Sequence, residues 1–164
     1  MIRARQDSDL PALCAALRAV HVTDAYPSVW PADPAAFVAP PGLGAWVAEL
    51  GGVPVGQVTL RGAGEPPPDW AASAGLEASE VAVLSRLFVA PAAQGQGLAR
   101  ALFRAAWAGA RALGRRAILD VHTASVGPIR LYETEGWVRV ATLDAPWQNP
   151  DGTSPRMHVY RSPA

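Results

Sequence analysis

Two glycines, Gly95 and Gly97, stand between an apolar run and a helical pattern, where chemistry can be done with backbone alone. The stretch reads Leu87-Phe88-Val89-Ala90-Pro91-Ala92-Ala93-Gln94-Gly95-Gln96-Gly97-Leu98-Ala99-Arg100. Upstream, Val81, Val83, Leu84, Leu87, Phe88 and Val89 have the bulky, β-branched character of a buried strand. Pro91 lacks the N–H a ladder needs and ends it. Downstream, Leu98, Ala101, Leu102, Ala105 and Leu113 recur at helical spacing, with Gly109 on the same face, so that face is expected to pack on the sheet. The first N–H groups of a helix have no intrahelical partner, and the macrodipole adds partial positive charge there. Glycines at that point let an anion come close. The stretch predicts a phosphate cradle made of backbone.

Two familiar cradles are poor fits. A nucleoside-triphosphate loop needs a lysine followed by Ser or Thr, and all 14 basic residues here are arginine. A dinucleotide fingerprint needs a third small residue where the helix meets the strand, and Arg100 stands there. The wider pattern is more specific. Gln94-Gly95-Gln96-Gly97-Leu98-Ala99 resembles the pyrophosphate-binding signature of the GNAT family, the acetyl-CoA-dependent N-acetyltransferases. Leu131-Tyr132-Glu133-Thr134-Glu135-Gly136-Trp137 is similar to a second block of that family, at the expected distance. The resemblance is good from about Leu43 to Val140 and only in outline before that.

The resemblance implies an α/β (α+β) GNAT-type acyl-CoA N-acyltransferase fold, a mixed, mostly antiparallel, bent sheet flanked by helices. It implies acetyl-CoA as cosubstrate and a primary amine as acceptor, with direct amine attack on the thioester. The backbone of Leu87, Phe88 and Val89 would bind the pantetheine arm like an added strand, and one N–H would polarise the carbonyl. Gln94, Gly95, Gln96, Gly97, Leu98 and Ala99 would hold the pyrophosphate, with Arg100 near enough to touch a phosphate. Tyr132 matches the tyrosine that protonates the leaving thiolate. Asp120 stands where some members carry an acidic base; His122, on the same strand face at i+2, Glu80 and a relayed water are alternatives. Many members have an asparagine where this chain has Ser125, which can still hydrogen-bond but with shorter reach.

Composition bounds the partners. At 164 residues the chain suits a single domain over residues 1–164. Half the residues are apolar and the formal net charge is zero, against a binder that relies on nucleic-acid phosphate attraction. There is no apolar run of membrane-spanning length, and residues 1–10 lack a signal-peptide core. One cysteine, Cys14, excludes an internal disulfide, and no Cys/His cluster suggests a metal. Cys14 lies on a helical stripe and is expected in the core. The expectation is a cytoplasmic protein, a monomer or homodimer.

The remaining elements follow in order. Ile2–Arg5 alternates like an edge strand. Asp7 and Ser8 offer cap oxygens to a helix with Leu10, Leu13, Cys14, Leu17 and Val20 on one side. Asp33 caps a short helix with Pro34 at its first position. Residues 45–50 and 53–60 form a hairpin about Gly51-Gly52. Residues 61–80 are a long Pro/Gly-rich loop. Residues 117–122 make a strand, Ser125 caps a helix to Glu135, and residues 137–143 and 156–160 are the last strands. Tyr26, Trp30, Phe37 and Trp70 either line the acceptor pocket or cover the core. An aromatic-lined pocket favours a small-molecule amine. A protein N-terminus or lysine is the alternative acceptor, and a non-catalytic acyl-CoA-binding module the alternative class.

Overall fold

The computed structural model describes residues 1–64 and 72–164. Seven strands make one sheet: β1 (Ile2–Ala4), β2 (Gly44–Leu50), β3 (Val53–Arg61), β4 (Val81–Val89), β5 (Arg116–His122), β6 (Val138–Asp144) and β7 (Arg156–Arg161), in the order β1-β2-β3-β4-β5-β7-β6. Every pairing is antiparallel except β4 with β5. The helices are α1 (Leu10–Asp24), α2 (Pro34–Val38), α3 (Leu98–Ala112) and α4 (Val126–Thr134). The parallel β4–β5 step needs a crossover, and α3 supplies it. Trp70 lies outside the described residues.

Strand alternation divides the core into two faces. On one face α3 covers Ala48, Val58, Leu60, Ala82, Leu84, Val89, Ala117 and Leu119. On the other, α1 and α2 cover Val47 and Phe88 through Leu13, Ala16, Leu17, Val20 and Val38. The buried stripe of α3 is Leu102, Phe103, Ala106 and Ala110. Leu113, expected on that stripe, is exposed because the helix ends at Ala112. Gly109 behaves as expected. A Cβ there would lie 2.5 Å from the Trp46 ring, so its absence lets α3 sit on β2.

Two expected caps form differently. Neither Asp7 nor Ser8 caps α1; Asp9 stands at its N-cap without a side-chain cap bond, accepting instead the Gln6 N–H of the preceding turn at 2.7 Å, while both its oxygens accept from Arg3. Ser125 stands at the N-cap of α4, but its side chain makes no cap bond; its carbonyl accepts from Ile129. Asp33 does cap α2, through Ala36 N–H at 3.1 Å. Cys14 packs, partly buried, against the α1 core, and burial pushes its thiol pKa up.

Candidate active site

The sheet opens in the middle. β4 and β5 pair only as Val81 with Arg116, Ala82 with Ala117 and Val83 with Ile118. Beyond Val83 the β5-facing edge of β4 has no strand beside it. Ala90 N–H donates to Val55 O on β3 at 2.7 Å. Successive residues of a strand present their N–H groups to opposite edges, so those of Val89 and Leu87 face the gap. Such an edge is a template for one more extended chain.

At the end of that edge lies the glycine turn. Gly95 and Gly97 have φ of +81° and +78°, in the left-handed region that side chains avoid. A Cβ on either would meet no atom within 4 Å, so the turn opens outward. No side chain caps α3, and the first bond at its N-terminus is Ala101 N–H to Gly97 O at 3.0 Å. The N–H groups of Leu98, Ala99 and Arg100 therefore stay available beside the positive end of the helix dipole. These residues fit a pyrophosphate. Side chains around them are engaged elsewhere. Gln94 donates to Val89 O at 3.0 Å and to Asp24 at 3.1 Å, tying the turn to α1. Arg100 reaches Glu135 at 3.4 Å and Thr134 at 3.3 Å, while Arg104 forks onto the same Glu135.

Polar side chains surround the gap from both faces. From the α3 face comes Tyr132, its ring stacked on Phe103 at 5.3 Å and tilted against Tyr160 at 5.9 Å. Its ring is buried, yet its hydroxyl makes no hydrogen bond among the described residues. Burial raises its pKa, and the nearby Tyr26 and Asp120 add to that. Tyr160, by contrast, donates to Glu133 at 2.8 Å, and burial first, then that bond, pushes its pKa up to about 12. From the opposite face comes Asp120. It keeps accessible surface, yet the surrounding groups crowd it enough that burial raises its carboxyl above the usual range, against the pull of Arg61 and Arg86.

Arg86 and Arg61 are functional candidates that the motif reading missed. β4 carries a bulge against β3, where the four residues from Ser85 to Phe88 face the three from Thr59 to Gln57, so Arg86 and Leu87 oppose Val58 alone. Arg86 sits in it with φ +54°. Its guanidinium lies 3.7 Å from the Phe37 ring centroid, and Phe37 in turn meets Tyr26 edge-on at 6.4 Å. Burial raises the Tyr26 phenol while Arg86 beside it opposes the shift. Arg61 ends β3 opposite Val83, in line with Ile118, on the face that also carries Asp120. The available signal was a lone arginine inside the apolar run of residues 81–89.

The other candidates are placed as follows. Trp30 packs on α1, with His21 at 5.2 Å and Arg18 at 5.0 Å, and so anchors its loop. His122 accepts the Ala124 N–H at 3.1 Å, stabilising the turn after β5. Glu80 accepts the Glu77 N–H at 2.8 Å, at the end of β4 where the strands still pair. No group of three or more metal-ligating side chains occurs among the described residues.

Known structures share this architecture. A ribosomal-protein-alanine N-acetyltransferase from Brucella melitensis superposes with a TM-score of 0.75 at 23% identity, covering 100% of this chain and 99% of that one. An N-acetyltransferase from Staphylococcus aureus Mu50 gives 0.73 at 19% identity, covering 98% and 96%. The yncA protein of Salmonella typhimurium, whose structure holds its cofactor acetyl-CoA, gives 0.70 at 20%, covering 98% and 91%. Among curated protein sequences nothing matches. The sequence model of the acetyltransferase (GNAT) family matches residues 11–137. With that match across most of its length, and an open sheet that ends in a glycine turn, the chain belongs to the acetyltransferase (GNAT) family.

Proposed function

We propose that this protein transfers an acetyl group from acetyl-CoA to the primary amine of a small molecule. The gap between β4 and β5 is the observation that carries this reading, since it leaves the β4 edge leading to the glycine turn free, and the influence of Asp120 on Tyr132 supports a shared site. The first N–H groups of α3 hold the pyrophosphate, and the free edge of β4 at Leu87 and Val89 pairs with the pantetheine arm. Acetyl-CoA supplies the activated carbonyl. An N–H of β4 polarises that carbonyl, while the cleft walls position the amine nitrogen for attack. The C–N bond forms and the C–S bond breaks. Asp120, directly or through water, takes the proton the nitrogen loses, and Tyr132 gives its proton to the departing sulfur.

The perturbed groups suit these roles. Asp120, raised above the ordinary carboxylate range, is a better base than a free aspartate. Tyr132 stays protonated at neutral pH, and the same dry surroundings raise the proton affinity of a thiolate formed beside it. The experiment is release of free thiol from acetyl-CoA with a panel of small amines and with N-terminal peptides. Turnover of small amines supports the reading. Turnover of peptides alone would replace it with a protein acceptor, and acetyl-CoA binding without turnover of either would replace it with a binding module.

A further inference from the structure

The arginines of this protein sort by how they are satisfied. Arg3, Arg100, Arg104 and Arg156 meet carboxylates. Arg5, Arg115, Arg116 and Arg161 donate to backbone carbonyls. Arg18, Arg111, Arg130 and Arg139 are exposed to solvent, whereas Arg86 and Arg61 are half-buried and do neither well. Arg86 rests on Phe37 beside the Tyr26 phenol, and its buried Nε–H, like those of Arg116 and Arg161, has no partner among the described residues. Arg61 has only a 3.5 Å contact with the carbonyl of its neighbour Gly62. Both lie on the face of the sheet that carries Asp120, and neither forms an ion pair with it or with any other described residue. Half-buried guanidinium groups that meet no carboxylate among the described residues are costly, and a non-glycine residue held at positive φ adds to that cost. Such an arrangement persists where a ligand completes it.

Resting on the acetyl-transfer reading, we propose that the acceptor carries an oxyanion beside its amine, so that the substrate class is a small amino acid. The amine faces Asp120 and Tyr132, and the carboxylate or phosphonate bridges toward Arg86 and Arg61. Two guanidinium groups against one carboxylate leave the cleft with an excess positive charge that a neutral or singly charged amine does not balance. Arginine's planar fork binds such oxyanions in two parallel hydrogen bonds, which fixes the amine's distance from the thioester. Phe37 and Tyr26 wall the same space and exclude water from the pair.

The test is thiol release from acetyl-CoA with matched pairs: glycine, methionine, phenylalanine and glutamate, each against its C-terminal amide, with 2-aminoethylphosphonate as a further arm. The expected result is a kcat/KM at least roughly tenfold higher for the preferred acid than for its amide, although the less basic amide amine would otherwise be favoured. A phosphonate turned over better than every carboxylate identifies the oxyanion as a phosphonate and supports the same subsite. Arg86→Gln and Arg61→Gln should each shrink the acid-over-amide ratio, by raising KM for the acid more than lowering kcat. Amides matching their acids, no acid turned over, or both variants keeping the wild-type ratio would overturn the proposal. A thermal shift of the wild type with acetyl-CoA separates the two levels. Acetyl-CoA stabilisation with no acid preference defeats only this inference, and no stabilisation defeats the acetyltransferase reading beneath it.

Discussion

The glycine turn and the proposed acceptor cleft are built by opposite means. The turn uses backbone: two glycines at positive φ and a helix N-terminus whose nearby side chains, Gln94 and Arg100, are engaged elsewhere. The cleft uses side chains from six elements or loops, with Tyr26, Phe37, Arg61, Arg86 and Asp120 converging on one face and Tyr132 entering from the other. A backbone cradle recognises what every member of such a family shares, a diphosphate and an extended arm. A side-chain cleft recognises what differs. Changes at the turn should therefore act on acetyl-CoA alone, and changes in the cleft on chemistry or acceptor alone.

Tyr132→Phe should give the largest break in that division. Removing the proton donor lowers kcat by roughly 100-fold, while affinity for acetyl-CoA, read by titrated thermal shift, stays nearly unchanged. Full activity would mean that another group protonates the sulfur.

Asp120→Asn should lower kcat/KM by about tenfold or more and flatten the acid limb of its pH profile. That limb should lie above the ordinary carboxylate range in the wild type, because burial raises the Asp120 pKa. The same shift fixes the sign of a stability effect. With its folded pKa raised, the native state holds its proton more tightly, so stability falls as pH rises through that range. Asp120→Asn should thus raise the melting temperature at neutral pH and leave it unchanged in strong acid. A fall in melting temperature at neutral pH would contradict the assigned environment.

Gly97→Val tests the glycine turn. Forcing a β-branched residue to φ +78° and filling the open turn should raise KM for acetyl-CoA about tenfold, with little change in KM for the acceptor. Equal effects on both would erase the contrast between the two regions. Gly109→Ala should be smallest. Its Cβ would press the Trp46 ring, at about 1–3 kcal/mol of overpacking, against a helix-propensity gain of nearly 1 kcal/mol. A net loss of about 1 kcal/mol in denaturant unfolding is expected, with kcat unchanged.

The same contrast explains what could be read from the sequence. Gly95, Gly97 and Pro91 are local signals, because left-handed backbone and strand termination depend on a residue and its neighbours. The hairpin at Gly51-Gly52 and the edge position of β1 were legible for the same reason. Arg86 was not. Its importance comes from a bulge that turns it toward Phe37, and Phe37 lies 49 positions earlier on a short helix (86 − 37). Trp30 shows the converse: its aromatic character suggested the cleft, and only the packing of α1 reveals it as an anchor. Leu113 failed because helical spacing cannot say where a helix stops.

If the glycine turn and open strand edge hold a CoA thioester, the thermal shift of the wild-type protein with acetyl-CoA, CoA, ATP and NAD in parallel will show it. Each ligand at about a hundred times its dissociation constant should stabilise the fold by roughly 2.7 kcal/mol if it binds the native state alone. A clear shift is expected with acetyl-CoA and CoA and none with ATP or NAD at the same concentration. No shift with acetyl-CoA, or an equal shift with ATP, would contradict it.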